Sequence, residues 1–210
     1  MPADEAREPV RQGVDPLLEE ELPGLRLWAL RVRASPGPSH PGLAAQLALL
    51  SDRVTGATAM ALRERPVARA YRAFFRQVGL DPDRDRTPIE QAMLDRLQHG
   101  GFRSRGLVED ALLIALVETG VPVWALDGDA IDGELVLRLA REDDAGVVAG
   151  RMVIVEGANV VGELFGPPAA DARVHAGTQR MRLVAVAVGD VPELSVHEAL
   201  HGARSRLTGA

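Results

Sequence analysis

Hydrophobic positions along this chain follow two rhythms, a helical one through the first half and a strand-like one through the second. Leu25 to Val32 alternates weakly after the Pro23-Gly24 turn and predicts a first strand. Ala34 to Gly42, broken by Pro36, Pro38 and Pro41, predicts a loop. Leu43, Leu47, Leu50 and Val54 then share one helical face, and Val67, Ala70, Tyr71, Phe74 and Val78 share another, so two amphipathic helices are expected. Gly79 and Pro82 end the second of these. Thr87, Pro88 and Glu90 form a capping-box signature for a further helix, which should bury Ile89, Met93, Leu94 and Leu97 and stop at Gly100.

Leu107 to Thr119 is apolar almost all round in its second half, so it predicts a central helix covered on several sides and closed by Gly120. VPVWALD, ELVLRLA, RMVIVEG, NVVGELF and RLVAVAVG follow as strands, with a hairpin at VEGAN. Ser195 and Glu198 carry the signature of a second capping box that would open a last helix. Helices first and strands later indicate an α+β domain with a mixed or antiparallel sheet packed with helices around the central apolar one. Residues 1–16 are charged and period-free and read as a mobile tail; 17–194 form the domain, and 195–210 a C-terminal helix and tail.

Composition narrows the function classes. At 210 residues and 46% hydrophobic the chain can bury one sizeable core. No apolar run reaches the length of a membrane span, the N-terminus is charged where a secretory signal would be apolar, and Cys is absent, so a cytoplasmic protein without membrane contact is expected. The basic residues are Arg throughout, with no Lys. A net charge of −6 argues against a general nucleic-acid coat but leaves room for a local basic face, and 3% aromatic residues disfavour a base-stacking platform. There is no GxSxG elbow, Walker pattern or GxGxxG turn after a strand.

From Tyr71 to Arg138 the chain resembles stand-alone B3/B4 domain proteins and, more distantly, the tRNA-editing module of the phenylalanyl-tRNA synthetase β subunit. The residues that carry the resemblance are the Tyr71 helix, Gly79 and Pro82, the Thr87 helix, Val108 with Asp110, Gly120 and Pro122, Asp127 and Asp129, Gly133, and Leu137 with Arg138. The resemblance implies a module that binds the aminoacylated 3′ end of tRNA and hydrolyses the ester of a wrongly attached amino acid, with no cofactor. Such a reaction needs a positioned water and donors for the developing oxyanion. The sequence departs from the pattern where an Asn is usual and Leu113 stands, where the synthetase carries a His and Trp124 stands, and where an acidic residue precedes a Thr-containing loop and Arg173, His175 and Thr178 stand.

The resemblance leaves His175, Thr178 and Asp127 as polar candidates for positioning water or carbonyl, and Arg103, Arg105, Asp110, Leu113, Trp124, Asp129 and Arg138 as candidate substrate contacts. Each has a plainer reading. Asp127 and Asp129 make an ordinary strand-exit turn, and Arg103 and Arg105 a solvated loop that would also welcome a phosphate. Arg138 should point away from the core, toward RNA or toward Glu134 or Asp132, and Tyr71 belongs to an apolar stripe. Two rivals stand beside the tRNA reading. If Leu113 and Trp124 fill the former polar cavity, the module would bind a small apolar ligand or a protein partner. HEALH, His197 to His201, matches a zinc-hydrolase pattern, but no His, Asp or Glu follows to serve as third ligand, and Val196, Leu200, Ala203 and Leu207 make a buried stripe that explains the helix without metal.

Overall fold

The computed structural model describes residues 8–144 and 146–209. The chain runs β1 (Val10–Arg11), β2 (Gly13–Val14), α1 (Pro16–Glu21), β3 (Arg26–Arg33), α2 (Pro41–Arg53), α3 (Gly56–Arg63), α4 (Pro66–Gln77), α5 (Pro88–His99) and α6 (Leu107–Thr119). It continues through β4 (Val123–Asp127), β5 (Leu135–Leu139), β6 (Met152–Glu156), β7 (Asn159–Glu163), β8 (Arg180–Ala187) and α7 (Glu193–Thr208). The fold is α+β with two sheets: an antiparallel one ordered β1-β3-β8-β4, and a mixed one ordered β2-β5-β6-β7 in which only the β2–β5 pair is parallel.

The helix that organises the domain is α6. Ala111 and Ala115 join the main core beneath the antiparallel sheet, Ile114 packs with Leu43 and Leu47 of α2, and Val117 packs with Ile89 and Met93 of α5. Its small and branched residues therefore meet partners on three sides, the environment expected of an almost wholly apolar helix. Gly120 terminates it at φ 78°, a left-handed conformation that a Cβ would oppose, and its N–H reaches Leu116 O at 2.7 Å. On the other face of the antiparallel sheet, Leu135, Leu137, Ile154 and Val161 of the mixed sheet complete the same core. The β6–β7 hairpin turns through Gly157 at φ 58°, the positive φ a two-residue hairpin loop needs.

Several expectations change. Residues 1–7 of the expected tail lie outside the described residues, but Val10 to Val14 is not period-free coil: β1 pairs with β3 and β2 with β5, so this stretch bridges the two sheets. An extra helix, α3, lies between the two amphipathic ones, begun by Thr55 and Thr58, whose hydroxyl accepts from Thr55 N at 2.6 Å. On α5, Glu90 accepts from Thr87 N at 3.3 Å as the capping signature requires, whereas Leu97 on the expected buried face is exposed. The last helix starts earlier than Ser195, at Glu193 after Pro192, because proline's fixed φ suits the helix entrance; Glu198 therefore lies inside the helix and caps nothing. Among the described residues no helix is long and apolar enough to cross a membrane.

Candidate functional site

The three candidate catalytic residues meet at the C-terminal end of β4. Asp127, 3% exposed, closes that strand, and its carboxylate accepts from Asp129 N at 3.0 Å. Segment 172–178 passes alongside, with Asp127 N donating to Ala172 O at 2.9 Å and Leu126 bridged to Arg173. That path brings His175 Nε2 to 3.0 Å from Asp127 Oδ2. Gly177 N donates to His175 Nδ1 at 3.0 Å, so Nε2 is the nitrogen left to carry the proton toward Asp127. The buried Thr178 hydroxyl accepts from His175 N at 3.1 Å, and Thr178 N donates to His175 O at 2.9 Å, closing a tight turn. The result is an imidazole 66% open to solvent, oriented by a buried carboxylate and by its own backbone turn.

Asp129 stands next to this cluster and serves a structural end. Its carboxylate accepts from Arg180 Nε at 2.7 Å, Gln179 N at 2.7 Å and Arg180 N at 3.2 Å, tying the β4 exit to the start of β8. The Arg180 hydrogen bond, then the two backbone donors, hold its pKa down at about 2. The strand-exit reading thus accounts for Asp129, while Asp127 adds the His175 contact to its turn role.

A second group lies at the other end of α6. Asp110 is 1% exposed in the helix's first turn and accepts from Ser39 Oγ and Ser104 Oγ, each at 2.5 Å, and from Arg105 N at 2.9 Å. It clamps the proline-rich loop after β3 to the loop before α6, whose Leu107 N also donates to Gly37 O at 2.8 Å. Arg103 and Arg105 are exposed beside it and, with Leu113, line a cleft of about 380 Å³ against α5. Trp124 lies elsewhere, on β4 facing the mixed sheet. Its Nε1 donates to Gly166 O at 3.2 Å and its ring lies 5.6 Å from Phe165, which also touches Tyr71, Phe74 and Phe75. The space left beside Trp124, among Leu126, Ile154, Val161 and Val184, is about 10 Å³. Leu113 and Trp124 therefore do not replace two walls of one apolar cavity: Leu113 faces the polar cleft, and Trp124 with Phe165 occupies the space between the sheets.

Arg138 also departs from expectation. It is buried, and its guanidinium donates twice to Asp144, at 2.6 and 2.7 Å, and to Leu139 O at 2.8 Å. That hydrogen-bonded pairing depresses the Asp144 pKa well below the carboxylate range and raises that of Arg138. Arg138 thus anchors the loop after β5, paired with Asp144 rather than with Glu134 or Asp132; the period-2 argument missed its burial because the Asp143-Asp144 turn folds back over the strand. In HEALH, His197 packs edge-on against Trp28 at 4.7 Å with its Nε2 3.7 Å from Glu193, beyond hydrogen bonding, and His201 Nε2 lies 3.4 Å from Glu8. Among the described residues no group of three His, Cys, Asp or Glu could hold a metal ion. Tyr71 is a core residue whose hydroxyl donates to Val186 O at 2.6 Å.

No protein-family model matches the chain. It is 33% identical over 79 residues to the phenylalanine–tRNA ligase beta subunit of Xylella fastidiosa (strain Temecula1 / ATCC 700964), covering 37% of this chain and 10% of that protein. It is 35% identical over 122 residues to the subunit of the same name from Tropheryma whipplei (strain Twist), covering 54% of this chain and 12% of that protein. The matched region spans about a tenth of the length of these relatives. Over part of its length, this chain is similar to the beta subunit of phenylalanine–tRNA ligase.

Proposed function

We propose that this chain is a cytoplasmic B3/B4-like module that binds the aminoacylated 3′ end of a tRNA without a cofactor. What carries the reading is that Asp127 meets His175 and Thr178, nearly fifty positions later in sequence, at one strand end on a chain similar in part to a tRNA ligase subunit. Strand ends commonly present functional groups on a rigid scaffold, and this one presents an exposed imidazole whose orientation is fixed from below. Arg103 and Arg105 supply a second, exposed pair of cations beside the α6 entrance, whose first turn is already occupied by Glu109 and Asp110, so a phosphate there would be held by the two guanidinium groups.

Deacylation is a second reading, favoured by the Asp127–His175 pair. Hydrolysis would have a water attack the ester carbonyl, its proton passing to the imidazole and on to the departing ribose oxygen. Here Nδ1 accepts from Gly177 and Nε2 donates toward Asp127, so the exposed ring must leave one of these bonds before it can take a proton. The filled space beside Trp124 offers no room for an amino-acid side chain, so the aminoacyl group of either reading must lie at the exposed His175 side of the strand end.

Incubation with a panel of mischarged tRNAs, including tyrosine on a phenylalanine tRNA, tests the catalytic reading. Ester release above the buffer rate that falls in His175→Ala and Asp127→Asn supports it, and release at the buffer rate across the panel removes it. Saturable tRNA binding that weakens in Arg103→Ala combined with Arg105→Ala supports the tRNA interface over a module that serves only a protein or apolar ligand. Undiminished binding in that double variant removes these two residues from the interface.

A further inference from the structure

The antiparallel register of β3 and β8 sets Arg31 opposite Arg182 and Arg33 opposite Arg180, two rungs of facing cations at one end of the strand pair. Like charges directly opposite one another oppose strand pairing, so this arrangement calls for compensation. Arg180 finds it in Asp129, and Arg31 in Asp132 at 2.9 Å. Arg182 does not. It is 4% exposed, its guanidinium donates to Gly133 O and, at 2.5 Å, to Gln12 Oε1, and its Nε has no partner. The acidic groups close enough to act on its charge are Asp132, already bound to Arg31, and Glu156, whose carboxylate accepts from Gly133 N. Burial, reinforced by Arg31, pushes the Arg182 pKa down, the direction expected of a cation short of counter-charge.

A cleft of about 330 Å³ opens on this group, walled by Arg11, Gln12, Arg31, Gly133, Glu134 and Arg182. A smaller void of about 20 Å³ shares Arg31, Asp132 and Arg182 with it and reaches Arg33 and Arg180. We propose that this cleft binds the phosphoryl group of a small phosphomonoester, with Arg182 as the buried anchor and Arg31 as the outer clamp. Arg31 keeps Asp132 as its counter-charge, so the cation short of an acidic partner is Arg182; the three oxygens of a phosphoryl group can meet Arg182 while still accepting from Arg31, which the two oxygens of a carboxylate do less well. The larger cleft falls at the lower end of the size range of small-molecule sites, so it can hold more than the phosphoryl group alone. Inorganic phosphate and a nucleoside 5′-monophosphate share the chemistry that the arginines read. The proposal is independent of the tRNA reading.

Calorimetric titration of the full chain with inorganic phosphate, AMP and adenosine tests it. Saturable binding of phosphate or AMP is expected, weakening with added salt, lowered more than about tenfold in Arg182→Met and several-fold in Arg31→Gln, with adenosine not binding. AMP binding more tightly than phosphate marks a nucleotide site, and equal binding marks a site for phosphate itself. Arg31→Gln changes an exposed residue, so it carries the test if Arg182→Met does not fold. Failure of wild type to approach saturation with either anion by about 10 mM would overturn the proposal, as would wild-type affinity in a folded Arg182→Met or in Arg31→Gln, or adenosine binding as well as AMP.

Discussion

Replacing Trp124 with Ala tests whether the space between the two sheets beside β4 is truly filled. The indole packs against Phe165, donates one hydrogen bond to Gly166 O at 3.2 Å and leaves only about 10 Å³ unoccupied beside it. Truncating a fully buried Trp costs about 3 to 5 kcal/mol, transfer and cavity terms together. Trp124 is partly rather than fully buried, which lowers the packing loss to about 2 kcal/mol, and its single neutral hydrogen bond adds about 1 kcal/mol. The expected total is about 3 kcal/mol. With a urea dependence of about 2 kcal/mol per molar for a domain of this size, the unfolding midpoint should fall by about 1.5 M with an unchanged slope. The new apolar cavity should bind indole, so added indole should recover part of the midpoint in the variant and none in wild type. A loss under about 1 kcal/mol, or equal effects of indole on both proteins, would refute the claim that Trp124 and Phe165 close this space.

Further perturbations address single interactions. Asp110→Ala removes the buried carboxylate that accepts from Ser39, Ser104 and the Arg105 N–H, and because Ser104 and Arg105 are exposed and can turn to water, urea unfolding should show a loss of about 2 kcal/mol. Asp129 has a folded-state pKa of about 2, below its ordinary value of 3.8, so its contribution is fully present above pH 3.8 and is lost as pH falls toward 2; Asp129→Asn should flatten the stability profile in that window, seen by acid titration of circular dichroism. Asp144→Asn leaves the Arg138 guanidinium buried without its counter-charge, and should be less stable by urea midpoint than the double variant Arg138→Leu with Asp144→Leu. Tyr71→Phe removes one buried hydrogen bond to Val186 O and should cost about 1 kcal/mol in the same assay.

Much of the scaffold was legible because it rests on local signals. The all-round apolar Leu107–Thr119 helix has the limits its pattern gave, and Gly120 stops it as a left-handed cap. The five later strands and the Gly157 hairpin follow from alternation and turn chemistry. What sequence could not show is where chain segments fold back on one another. Val10 to Val14 is too short and too polar to announce strands, and becomes strand only because β3 and β5 offer open edges. Arg138 looked outward by alternation until the Asp144 turn covered it. The resemblance names Asp127 and His175 as polar candidates, but the contact between them is not legible in sequence, since 47 intervening positions carry no periodicity that joins them. The Arg31–Arg182 rung was missed altogether; two arginines interrupting otherwise apolar strands, Arg31 in LWALRV and Arg182 in MRLVAV, were the available signal.

The tRNA reading turns on the acceptor end. Equilibrium binding should be measured with an aminoacylated tRNA and with the same tRNA stripped of its terminal CCA, both labelled at the 5′ end and compared at one fixed salt concentration. Saturable binding that falls more than about tenfold on removal of the 3′ terminus is the predicted result. Equal affinity for the two, or no saturation with either, would contradict it.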